Sequence, residues 1–87
     1  LIKIDKIDMS YHLTEIKKGK LGEFSKIREE FEELTDAHQQ GDLILQLCEL
    51  SDMVGAIEEY LKKWNLTIDD LKKFSDKTKK AFNDGSR

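Results

Sequence analysis

Glu30 and Glu33 stand three residues apart, and so do Glu49 and Asp52. Residues at i and i+3 of a helix share one face, so each pair sets two carboxylates side by side. The second pair lies in Leu45-Gln46-Leu47-Cys48-Glu49-Leu50-Ser51-Asp52-Met53-Val54, a stretch apolar enough to be core. Burying lone carboxylates is costly unless something positive compensates them. Few basic residues lie nearby in sequence. A hard divalent cation is the simplest compensator, since Mg²⁺ takes oxygen ligands and keeps waters and substrate phosphates in its shell.

The elements must bring the two pairs together. A first helix is expected over Glu23 to Gln39, with Phe24, Ile27, Phe31 and Leu34 as its core stripe. Glu30 and Glu33 flank that stripe. Gly41 is a natural stop and Asp42 a good N-cap for the next helix. So short a connection makes an antiparallel helical hairpin. Glu33 and Glu30 lie eight and eleven residues before Gly41, and Glu49 and Asp52 lie eight and eleven after it. Antiparallel pairing then sets all four carboxylates at one height. Taken alone, Glu29, Glu30, Glu32 and Glu33 read as a solvated helix face. The symmetric placement about the turn favours a site.

The second helix is expected over Leu43 to Trp64. Its first half is apolar nearly all round, and a chain of 87 residues is too small to cover it. A homo-oligomer, dimer or tetramer, is therefore expected, with this helix at the interface. Thr67 caps a third helix with Asp70 in a capping-box role, and Leu71, Phe74, Thr78, Ala81 and Phe82 form its core stripe. Gly19 and Gly22 mark a turn before the first helix. Residues 1–20 read as an irregular arm, with Leu1 to Ile7 as a short strand or arm, and residues 83–87 as a fraying tail. The fold class is thus all-α: a helical hairpin plus a third helix, one domain over 1–87, with a four-helix-bundle-type core completed by oligomerisation.

Composition sets bounds. Net charge is −3 without a dense basic block, which argues against duplex nucleic acid as a partner. The single cysteine forms no internal disulfide and suits a reducing compartment. No apolar run is long enough to span a membrane, and Leu1 to Met9 lacks the apolar segment of a secretory leader. A cytoplasmic protein is expected. Five lysines fall between Lys72 and Lys80, opposite in sign to the acid-rich first half.

Arg28-Glu29-Glu30-Phe31-Glu32-Glu33-Leu34, followed by Glu49-Leu50-Ser51-Asp52, resembles the E-E-x-x-E … E-x-x-D signature of MazG-like all-α nucleoside triphosphate pyrophosphohydrolases. The likeness covers Phe24 to Leu61. The ending Thr78-Lys79-Lys80-Ala81-Phe82 with Arg87 resembles, more loosely, the tail of small phage-encoded members. The resemblance implies an oligomeric enzyme that splits a nucleoside triphosphate into monophosphate and pyrophosphate. It implies Mg²⁺ as the metal, with Mn²⁺ as a substitute, and Glu30, Glu33, Glu49 and Asp52 as its ligands, activating a water. Glu29, or a cluster carboxylate with a free oxygen, would orient that water. Apart from the resemblance, Lys79 and Lys80 could neutralise the departing pyrophosphate or equally be ordinary solvated lysines. This chain departs from longer members by being very short, and with three helices legible a fourth must come from a partner or from the arm.

The remaining candidates read more plainly. Tyr60 and Trp64 suit core or interface packing better than base stacking. His12 and His38 have no ligand spacing to each other and read as surface residues. Cys48 reads as a small core residue without a neighbouring histidine. Lys17, Lys18 and Lys20 complete no phosphate-loop pattern. The rival reading is a non-catalytic helical module that binds nucleotide or a protein partner. A di-iron carboxylate bundle is disfavoured, because neither histidine stands three after a glutamate.

Overall fold

A computed structural model describes residues 12–85. The strand-or-arm expectation for Leu1 to Ile7, and the last two residues of the fraying tail, lie outside them. Helices supply the regular structure, with no strand among the described residues. They are α1 (Phe24–Gln40), α2 (Leu43–Leu61) and α3 (Ile68–Asn83), with a 3₁₀ turn, Lys62–Trp64, continuing α2.

The boundaries follow from local chemistry. The Glu23 amide closes the turn before α1 on the Lys20 carbonyl at 3.0 Å. Gly41 ends α1 in the left-handed region at φ 70°, its amide bonding back to Ala37 and His38. Asp42 Oδ1 then accepts the Leu45 amide at 3.0 Å and opens α2. Two residues of connection fold α2 back antiparallel on α1. Asn65, at φ 59°, terminates the 3₁₀ turn. Thr67 and Asp70 form the expected capping box, with the Thr67 amide donating to Asp70 Oδ2 at 2.9 Å.

The expected core stripes are not the buried faces of the protomer. Phe24 and Phe31 are 56% and 59% exposed. The face of α1 turned inward carries Glu29, Glu30, Asp36 and Ala37 instead. On α2, Leu43, Ile44, Leu47, Leu50 and Val54 are exposed, and only Glu49, Ala56 and Leu61 are buried. Cys48 is exposed rather than core. α3 buries no residue; Leu71, Phe74 and Phe82 are exposed, and the helix touches α2 only lightly. The physical reason lies in the acidic face. Arm amides and a lysine compensate its carboxylates, so the hairpin closes around them, and Ala37 and Ala56 let the backbones approach. Much of the apolar stripes is left outward, with Ile27 and Leu34 half-buried. No helix among the described residues is long and apolar enough to cross a membrane.

Candidate metal centre

Glu30 and Glu49 are each the seventh residue of their helix, and Glu33 and Asp52 each the tenth. Antiparallel packing therefore sets Glu33 level with Glu49, and Glu30 level with Asp52. The four each offer an oxygen within 4.8 Å of the others. Donors on opposite sides of one ion at about 2.1 Å are about 4.2 Å apart, so a few tenths of an ångström of side-chain movement would close the set. Glu30 and Glu49 are buried, Glu33 is half-buried and Asp52 is exposed at the mouth.

The electrostatics record the crowding. Burial, shared hydrogen bonds with Glu49 and Glu29, and the charges of Glu30 and Glu49 push the Glu33 carboxyl up to about 9. Glu33 thus holds a proton at neutral pH when no cation is present. Burial also raises Glu49, helped by the Asp52 charge and opposed by its hydrogen bond with Glu33. Glu30 Oε1 and Glu49 Oε1 are buried and have no hydrogen-bond partner. Buried carboxylate oxygens are rarely left so, and a cation would satisfy both. The donor set is all oxygen, which suits a hard divalent cation.

Lys26 is a site residue that the sequence reading did not single out. Its Nζ lies 3.0 Å from Glu30 Oε2 and 3.1 Å from Glu29 Oε1. Burial works against its charge, but the hydrogen bonds to Glu30 and Glu29 prevail and raise its pKa. The spacing to Glu29 and Glu30, i+3 and i+4, is the signal that was available. An open hollow of about 490 Å³ adjoins the cluster, lined by Lys26, Glu30, Asp52, Gly55 and Glu59 among others.

Glu29 shares a hydrogen bond with Glu33 and borders the four. Its Oε1 accepts the Gly19 amide at 2.8 Å and faces Lys26, and its Oε2 faces Lys18 at 3.7 Å. Burial raises its pKa, but these donors outweigh burial and keep it a carboxylate. It ties the arm to α1. Lys79 and Lys80 are exposed in the last turns of α3 and do not line the hollow.

The arm supplies a second surprise. Asp36 accepts the Leu13 amide at 2.7 Å and the Thr14 amide at 2.9 Å, and takes the Gln40 side chain at 2.8 Å. These bonds seat the segment beginning at His12 against α1. The His12 side chain is 7% exposed, not on the surface, and its Nδ1 lies 3.8 Å from Asp36 Oδ1. It comes within 4.8 Å of donor oxygens of Glu33 and Glu49. No sequence spacing announces this contact. His38 is exposed, as expected. Tyr60 packs edge-on against Trp64, 5.1 Å between ring centroids, but Trp64 is exposed and is not a core residue of the protomer. Compared with known proteins, the chain matches no family model, no curated protein and no solved structure.

Proposed function

We propose that the chain is a cytoplasmic, divalent-cation-dependent nucleotide pyrophosphohydrolase that works as a homo-oligomer. One observation carries the reading: four carboxylates from two helices converge within 4.8 Å, two of them with buried, unpartnered oxygens, beside an open hollow. Glu30, Glu33, Glu49 and Asp52 would hold the cation. What it supplies when bound is Lewis-acid charge against the phosphates and a more acidic attacking water. The residues do the rest. Lys26, on the wall of the hollow, offsets anionic charge that Glu30, Asp52 and Glu59 would otherwise repel. Glu29 holds the arm against α1 and keeps Lys26 in place. Glu33 gives up its proton as the cation enters. The resemblance of Glu29-Glu30-Phe31-Glu32-Glu33 and Glu49-Leu50-Ser51-Asp52 to the MazG-like signature supports cleavage between the α- and β-phosphates.

The test is pyrophosphate release from a panel of nucleoside triphosphates with Mg²⁺ and with chelator. Monophosphate and pyrophosphate should appear together, without free diphosphate. In ¹⁸O-water the label should enter the monophosphate. Label in inorganic phosphate, with diphosphate accumulating, would refute attack at the α-phosphorus.

The second reading is a non-catalytic helical module that binds nucleotide or protein. It is favoured by the partial self-neutralisation of the cluster, through Lys26 and the proton on Glu33. Nucleotide binding without turnover of any triphosphate in the panel would select it.

A further inference from the structure

Two donor groups overlap in the hairpin. One is Glu30, Glu33, Glu49 and Asp52; the other is His12, Glu33 and Glu49. We propose that His12 makes the centre dinuclear: a second cation position, framed by His12, Glu33 and Glu49, shares its two carboxylates with the first. This rests on the reading of the four carboxylates as a metal centre.

The geometry carries the proposal. A carboxylate has two oxygens and can hand one to each of two cations. Glu33 and Glu49 are level across the hairpin, where two bridging groups must be. Glu49 Oε1 is buried and has no hydrogen-bond partner, although Glu49 already bonds to Glu33. His12 is brought to them from outside the hairpin and is held there. Asp36 fastens the next two residues through both of their amides and the Thr14 hydroxyl. The same carboxylate lies 3.8 Å from His12 Nδ1, beyond hydrogen-bond length but close enough to favour a charged or metal-bound imidazole. Three donors of this two-residue segment thus converge on one carboxylate.

The donor set also sets the metal class. The four-carboxylate position offers only oxygen and suits Mg²⁺. The second position offers one imidazole nitrogen with two carboxylates, which favours Mn²⁺ or a later first-row cation. Two unlike positions follow, one indifferent to Mg²⁺ against Mn²⁺ and one selective for Mn²⁺.

The experiment titrates the metal-free full chain with Mn²⁺ alone, without nucleotide, and follows it by electron paramagnetic resonance. Two Mn²⁺ per chain are expected, giving an exchange-coupled signal at saturation. Electron spin-echo modulation should show imidazole nitrogen, and the coupling should change when histidine is labelled with ¹⁵N. His12→Ala should bind one uncoupled Mn²⁺, with the second step weakened more than about 100-fold, beyond the usual effect of losing an outer-sphere partner. His38→Ala should keep both ions. If His12→Ala does not fold, the nitrogen coupling in the wild-type chain decides the question. One uncoupled Mn²⁺ without nitrogen coupling would overturn the dinuclear proposal and leave the four-carboxylate centre standing. Absence of any Mn²⁺ binding would overturn both.

Discussion

Glu33 shows what happens when like charges share a half-buried space. Its carboxyl, raised to about 9 from an ordinary 4.5, keeps a proton in the folded chain that the unfolded chain has lost. Between those values the native state binds more protons than the unfolded one, so stability falls as pH rises through that window. Thermal melting of the metal-free protein should therefore drop between pH 5 and pH 9, and Glu33→Gln should flatten the slope; equal slopes would show that Glu33 is an ordinary acid. Removing charge has a second effect. Glu49→Gln and Asp52→Asn should each lower Mg²⁺-dependent turnover by at least about 100-fold, because each removes an anionic ligand. The two should differ in melting without metal. Buried Glu49 stands among like charges, so its neutralisation raises the melting point, whereas Asp52 is exposed and its change stays within about 0.5 kcal/mol. Full activity in both variants would sink the metal-site reading. These four positions were legible because helical spacing and the turn at Gly41 fix their relation. His12 was not, since it meets Glu33 and Glu49 only through an arm that folds back from outside any periodic segment. Lys26 was legible, since it stands three and four residues before Glu29 and Glu30, beside the first acidic pair rather than the second.

The arm is the element whose seating the sequence hid. Asp36 fastens it at residues 13 and 14, and Glu29 at Gly19. At Gly19 a side chain has no room, since a Cβ would collide with the main chain of Ser25 and Lys26 at the start of α1. Gly19→Ala should therefore lift the arm while the α1–α2 hairpin stays helical. Faster amide exchange at Leu13 and Thr14 would report it, by about 10- to 100-fold for a loss of roughly 1.5–3 kcal/mol. Asp36→Asn should loosen the same amides from the other end. Burial tends to raise the Asp36 carboxyl, but the amide of Leu13, the Gln40 side chain and Thr14 hold it down at about 2. Its folded value is depressed, so this stabilisation is full above the ordinary range near 3.8 and is lost as pH falls through about 2. Exchange at Leu13 and Thr14 that is insensitive to both substitutions would mean the arm is held by something else. The helices themselves were readable from their ends: Gly41, Asp42, Thr67 and Asp70 do what their types suggest. Which face each helix buries was not readable, because periodicity defines a stripe without naming the neighbour that covers it.

At the scale of the whole molecule the outward stripes set the remaining problem. Phe24, Ile27, Phe31 and Leu34 step by three, four and three along α1, and Leu43, Leu47, Leu50 and Val54 step by four, three and four along α2. That is the spacing of helices that pack side by side in a bundle. The two stripes are continuous, for Phe31, Leu34 and Leu50 line one shallow hollow across the hairpin. Inside the protomer the buried apolar residues among those described are Ala37, Ala56 and Leu61. So small a buried core contributes little against the chain entropy of the hairpin. Covering a large apolar side chain is worth roughly 1.5–3 kcal/mol, so the stripes offer far more than the interior does. A second hairpin laid on the first would complete a four-helix core, and the apolar hollow at Phe31, Leu34 and Leu50 shares no lining residue with the acidic hollow. Sedimentation should then find at least a dimer at micromolar concentration, with a melting point that rises with protein concentration. Phe31→Glu with Leu47→Glu should shift the assembly to monomer and lower its melting point, while Phe74→Glu on the loosely attached α3 should do less. A wild-type chain that sediments as a folded monomer, melting at one temperature across a hundredfold range of concentration, would show that these stripes are not where two copies meet.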